Sequence, residues 1–210
     1  MAADEQRPGW ASALEPYLVE LTRVPLKSPI RTLLGALIPE VPAAVLRLPR
    51  WTGADFVDDF GRKGSASVEI DGEHVFAELA VLRLLERDGW EGRWVNTKGT
   101  KHGEIWKLLT RWTDVPREEQ RHRPIEDERA RQLITSIAMA NRPARWAGCW
   151  DVYAWRASGD EFAFFQCKKG SPARERLGAQ QEEWLRMALL TQPALVKLES
   201  FCFVLWEYAE

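Results

Sequence analysis

The stretch Cys149-Trp150-Asp151-Val152-Tyr153-Ala154-Trp155, then Arg156 to Asp160, then Glu161-Phe162-Ala163-Phe164-Phe165-Gln166-Cys167-Lys168, decides how this chain folds. Two apolar, aromatic-rich runs flank the turn Ala157-Ser158-Gly159-Asp160, which is the pattern of paired antiparallel strands. Centring the turn between Ser158 and Gly159 sets the register. Asp151 then opposes Gln166 and shares a face with Lys168, with cross-strand Cβ atoms about 5 Å apart. A carboxylate, a carboxamide oxygen and an ammonium gather at one point of otherwise apolar strands. That grouping suits a divalent cation with a water beside it.

Downstream, Gly170 and Pro172 make a loop, and a helix is expected from about Ala179 to Leu190, burying Trp184, Leu185, Ala188 and Leu189. The run Phe201-Cys202-Phe203-Val204-Leu205-Trp206-Glu207-Tyr208 reads as a strand. Strand, helix, strand implies a right-handed parallel crossover. Upstream, the periodicity predicts a helix from near Asp71-Gly72 to about Asp88, capped by Gly89, with an apolar stripe of Val75, Leu79, Leu82 and Leu85 and with Phe76 beside it. Glu78 falls within that stripe, where it either meets a partner or reaches solvent from its edge. Gly92 to Thr97 reads as a strand. About residues 98–148 form an insertion with a mixed-sign charged stretch from Arg117 to Arg131 and a helix from about Glu126 to Ala140, ended by Arg142-Pro143.

The expected order is helix, strand, strand, strand, helix, strand: an α/β (α+β) fold with a mixed sheet flanked by helices. Residues 1–68 are punctuated by Pro8, Pro16, Pro25, Pro29, Pro39, Pro42 and Pro49 and carry the apolar run Thr32 to Ile38. They read as a helical accessory segment to a domain spanning 69–210.

Net charge is −2, so any nucleic-acid contact must rest on a local patch. Lys168, Lys169, Arg174 and Arg176, diluted by Glu175, form one; its other reading is a solvated loop. No apolar run reaches the roughly 18 residues of a membrane-spanning helix, and the N-terminus lacks the order of a signal peptide. Cys149, Cys167 and Cys202 lie in expected strands without CxxC spacing, consistent with reduced, buried thiols in a cytoplasmic protein. Eleven tryptophans is a high count; most are expected in the core, with one or two available to stack on bases. His74, His102 and His122 show no ligand spacing. Nucleotide-binding, serine-hydrolase and zinc motifs are missing.

The order of elements, with Glu78 on the first helix, Asp151 opening the second strand and Gln166-Cys167-Lys168 on the third, resembles the PD-(D/E)xK nuclease superfamily. The likeness is to its VRR-NUC-type domains. It stands here as Gly148-Cys149-Trp150-Asp151, then Phe165-Gln166-Cys167-Lys168-Lys169-Gly170, then Gln181-Glu182-Glu183-Trp184-Leu185, and covers about residues 70–208. Two positions depart from the family pattern: Trp150 replaces the proline before the aspartate, and Gln166 replaces the acidic residue of the tripeptide.

The resemblance implies a restriction-endonuclease-like αβββαβ core and a Mg²⁺- or Mn²⁺-dependent nuclease. Asp151, Gln166 and Glu78 would hold the metal, and Lys168 would act on the attacking water or the phosphate. Lys169, Arg174, Arg176 and Gln181 would meet the nucleic acid, with Gln181 equally readable as a cap or packing residue. The expected substrate is DNA, with structured or branched DNA among the candidates. A homodimer would allow both strands to be cut. The alternative is a nuclease-like fold without cleavage, binding nucleic acid or another protein, which Gln166 favours because an amide brings no negative charge to a cation.

Overall fold

The computed structural model describes residues 7–26, 39–54, 67–95, 109–110, 123–142, 144–157 and 161–209. Nine strands are described: β1 (Leu18–Pro25), β2 (Glu40–Leu48), β3 (Ser67–Ile70), β4 (Glu73–Phe76), β5 (Glu91–Val95), β6 (Leu109–Thr110), β7 (Val152–Trp155), β8 (Phe162–Lys169) and β9 (Phe201–Tyr208). The described α-helices are α1 (Ala11–Leu14), α2 (Ala77–Arg87), α3 (Glu128–Ala140) and α4 (Ala179–Thr191). Seven strands form one mixed sheet in the order β1-β2-β9-β8-β7-β5-β6, and β3-β4 is a separate hairpin. No helix among the described residues is long and apolar enough to cross a membrane.

The sheet divides the core into two layers, because successive side chains of a strand point to opposite faces. Val152, Ala154, Ala163 and Phe165 join α2 and the β3-β4 hairpin on one face. Tyr153, Trp155, Phe162 and Phe164 join α3 and α4 on the other. The order α2-β5-β7-β8-α4-β9 follows the expected one, and β8 pairs with β9 in parallel.

Two expectations are corrected. The first concerns residues 1–68, expected as a helical segment: besides the one-turn helix α1, their described part supplies the strands β1 and β2. The two pair antiparallel, and β2 lies parallel to β9 with Ala43 opposite Phe203 and Leu48 opposite Tyr208, so this segment continues the same sheet. Two of the prolines that suggested irregularity, Pro25 and Pro42, occupy strand positions that tolerate them. Pro25 ends the outermost strand, and Pro42 precedes the first residue that pairs with β9. The run Thr32 to Ile38 lies outside the described residues.

The second concerns the start of α2. Asp71-Gly72 does not open a helix but turns a hairpin. Ile70 pairs with Glu73, and Asp71 and Gly72 have φ of 52° and 77°, as a two-residue hairpin loop with both central residues left-handed requires. Val75 and Phe76 therefore belong to β4. The helix that follows ends as the sequence predicts: Gly89 has φ 80°, its N–H donates to the Glu86 carbonyl, and the Trp90 N–H donates to that of Leu85.

The strand expected over Gly92–Thr97 is present and is described over Glu91–Val95; residues 96 and 97 lie outside the described residues, as do His102 and His122. In the insertion, α3 starts at Glu128 because the Asp127 carboxylate accepts from the Ala130 N–H at 2.8 Å. Asp127→Ala is expected to cost about 1 kcal/mol, read as a lower urea midpoint. An unchanged midpoint would show that this cap is dispensable. Buried Arg93, 4 % exposed, ties the insertion to β5 by donating to the carbonyls of Arg123 (2.9 Å) and Pro124 (2.8 Å).

Candidate metal and phosphate site

The hairpin register is the one read from the turn: Val152 pairs with Phe165, Tyr153 with Phe164, Ala154 with Ala163 and Trp155 with Phe162. The turn residues 158–160 lie outside the described residues. Extending the register by one step sets Asp151 opposite Gln166, just before β7 begins and where β8 runs on. There the Asp151 carboxylate takes over the ladder. Its Oδ2 accepts from the backbone N–H of Cys167 at 2.8 Å and from the Gln166 side-chain amide.

Gln166 is 7 % exposed, and its Oε1 is buried with no hydrogen-bond partner among the described residues. A buried amide oxygen without a donor loses about 1–3 kcal/mol of solvation. A half-turn of the carboxamide would bring that oxygen round to the carboxylate, and two acceptors tolerate such proximity with a cation, a proton or a bridging water between them. This orphaned oxygen beside a half-buried carboxylate is the feature that fits a hard cation. Mg²⁺ commonly takes one or two carboxylates and fills its remaining positions with water and substrate phosphate.

Gln166→Glu would place two carboxylates together. We expect it to lose about 2 kcal/mol of stability without metal, as a hydrogen bond becomes a repulsion. Millimolar Mg²⁺ or Mn²⁺ should restore the melting temperature. A variant whose melting point ignores both ions would argue against a cation at this corner.

Lys168 shares the face of Gln166 and Phe164. Its Nζ donates to the Arg176 carbonyl at 2.9 Å and lies 3.9 Å from a Glu175 carboxylate oxygen, so the loop after β8 holds it. That loop is curled on itself: the Arg176 guanidinium donates to the carbonyls of Pro172 and Glu175 at 2.8 and 2.7 Å. Arg174, Arg176 and Lys169 are exposed. Lys169 points to the opposite face, with Nζ 4.0 Å from the Tyr208 ring centre.

Glu78 is half-buried in the first turn of α2, and the buried side of that helix joins the core layer opposite to the face of Gln166. The structure brings Asp151 and Gln166 together; Lys168 follows two residues along the same strand face with its ammonium on the Arg176 carbonyl, and Glu78 sits half-buried on the helix that packs against the other face of the sheet. Among the described residues no three His, Cys, Asp or Glu side chains are grouped to hold a metal ion. Gln181 is half-buried in the first turn of α4. Its backbone carbonyl accepts from the Trp150 indole at 3.1 Å, and its side chain folds back on Gly178.

The sequence reading passed over Glu182, which is 5 % exposed in the first turn of α4. It lies three residues before buried Leu185, so the helical spacing that singled out Glu78 applied to it equally. Its helix start touches Gly148 and Trp150, and a carboxylate there is favoured by the helix dipole.

The negative charge of Asp151 is felt at Cys149, whose thiol is pushed well above its ordinary range, first by burial and then by that carboxylate. All three cysteines are free and buried, as expected. Eight of the tryptophans, including Trp94, Trp150, Trp155, Trp184 and Trp206, are buried and therefore closed to bases. No protein-family model, curated protein or solved structure matches this chain.

Proposed function

We propose that this protein is a divalent-metal-dependent nuclease that hydrolyses phosphodiester bonds of DNA at the Asp151–Gln166–Lys168 corner. The observation that carries the reading is the pairing of the Asp151 carboxylate with a buried Gln166 amide whose oxygen has no partner among the described residues, with Lys168 two residues along β8. The element order α2-β5-β7-β8-α4-β9 supports it, because it is the order that the resemblance to PD-(D/E)xK nucleases implies.

Bound Mg²⁺ or Mn²⁺ would supply charge neutralisation at the scissile phosphate and a more acidic water. Asp151 and the Gln166 oxygen would hold it. Asp151 contributes the negative charge, and the Cys167 N–H fixes the orientation of its carboxylate. Lys168, released from the Arg176 carbonyl, would donate to a phosphate oxygen or orient the water. Lys169, Arg174 and Arg176 would meet neighbouring phosphates, which position the backbone without reading its sequence.

The second reading is a nucleic-acid-binding module of the same build without cleavage. It is favoured by the contacts that occupy the site's own groups, Gln166 on Asp151 and Lys168 on the 170–176 loop. A calorimetric Mn²⁺ titration of the wild type and Asp151→Asn, with and without a short DNA duplex, separates the two. A site present in the wild type and lost in the variant supports the nuclease. No site in either, even with DNA, supports the module.

A further inference from the structure

The strands β2, β9 and β8 are parallel neighbours, so their C-terminal ends emerge along one edge of the sheet. Leu48 of β2 is level with Tyr208, and Lys169 of β8 is level with Trp206. Two residues past the end of β2, the Arg50 backbone is pinned by a bridge to Val68, and its guanidinium carbon lies 5.3 Å from the centre of the Tyr208 ring. Lys169 reaches the same ring from the other side strand, with Nζ at 4.0 Å. Trp206 packs edge-on against Tyr208 at 5.5 Å and holds the ring in place.

Two exposed cations are thus aligned on one aromatic ring, and neither has an ion-pair partner among the described residues. Glu207, the carboxylate beside Tyr208, is already paired with Arg47 at 2.9 Å. Like charges held together without an anion are a place for an anion. Neighbouring strands are about 4.8 Å apart, so the backbones at Arg50 and Lys169 are about 10 Å apart and their charges converge on the ring between them. Along the axis of a duplex the phosphates of one strand come about every 3.4 Å, so two cations spaced in this way can each meet a phosphate of one backbone. Lys169 directly follows Lys168, on the opposite face of β8. A backbone lying over this edge would touch the candidate site on one face and the Arg50–Lys169 pair on the other.

We propose that Arg50 and Lys169, aligned on Tyr208, are a phosphate clamp for the backbone of the nucleic acid held at Asp151 and Lys168. This rests on the reading given above and extends it: the segment that follows β2, outside the part of the chain that resembles nucleases, supplies half of the grip. The contact is with phosphate, so it is independent of base sequence and common to duplex and single strands.

The test is binding of the wild type, Arg50→Gln and Lys169→Gln to a short DNA duplex, its single strand and the matching RNA, with metal chelated and salt varied. Each substitution is expected to reduce the log–log salt slope by about 0.9 on duplex and about 0.7 on single strands. On duplex that is about an eightfold loss of affinity at 0.1 M salt. Variants that keep the wild-type slope overturn the clamp, and if the wild type still cuts with Mg²⁺ the nuclease reading survives that failure. Reduced slopes in a protein that cuts nothing uphold the clamp while the cleavage reading falls. A wild type that binds none of the three overturns the clamp.

Discussion

Gly148→Ala is expected to be the most damaging of the glycine substitutions in the described fold. Gly148 has φ 80°, and a Cβ built there would lie 2.0 Å from the Gln180 carbonyl oxygen. The left-handed backbone alone costs an alanine about 1–2 kcal/mol. The overlap is with backbone, so no side chain can swing away. Either α4 retreats from the hairpin or the loop before β7 is displaced, and overpacking of this kind costs about 1–3 kcal/mol or more. The sum, on the order of 4 kcal/mol, takes much of a typical stability margin of about 5–15 kcal/mol.

The same displacement would pull on the Trp150–Gln181 contact and so on Asp151. Gly72→Ala is the control. Gly72 has nearly the same φ, 77°, but nothing lies within 4 Å of the added carbon. It should lose only the backbone term, about 1–2 kcal/mol. Urea midpoints of the two variants measure the difference; equal losses would mean that the contact with α4 yields without cost.

Asp151→Asn is expected to leave the fold in place and remove cleavage. Its amide oxygen can still accept from the Cys167 N–H and from the Gln166 amide, so the corner keeps its donors satisfied. A hydrogen bond to a charged group contributes about 1.5–3 kcal/mol and one to a neutral group about 0.5–1.5, so stability should fall by about 1 kcal/mol. The negative charge that would bind the cation is gone. A loss of about 10³-fold in rate corresponds to about 4 kcal/mol at the transition state. Asp151→Ala is the poorer test, because it strands a backbone N–H and a buried amide and confounds folding with chemistry.

The hairpin was readable because two signals agree: aromatic strands with period two, and a turn whose centre fixes the pairing. From Ser158 and Gly159 alone, Asp151 and Gln166 fall opposite one another. The end of α2 was readable from Gly89 for a similar reason, since a left-handed residue there closes the helix. Asp71-Gly72 carried an equally local hairpin signal, with alternating residues on both sides. It was outweighed by the apolar spacing of Val75, Leu79 and Leu82, which a strand followed by a helix imitates. The prolines of the first 68 residues hid β1 and β2, because a proline at a strand's end or outer edge costs nothing and composition does not say where the edges are. The layer occupied by Glu78 depends on which face of the sheet α2 covers, and periodicity along one helix holds no record of that. Arg93 is held by carbonyls some thirty residues away, a contact that no local pattern encodes.

The measurement that bears most directly on the central claim is cleavage of supercoiled plasmid, single-stranded DNA and a four-way junction with Mg²⁺ or Mn²⁺. The proteins compared are wild type, Asp151→Asn and Lys168→Ala. The account predicts metal-dependent cutting of at least one substrate by wild type, abolished by Asp151→Asn and strongly reduced by Lys168→Ala, with all three proteins equally folded. Cutting that survives Asp151→Asn, or a wild type inert on all three substrates with either metal, would contradict it.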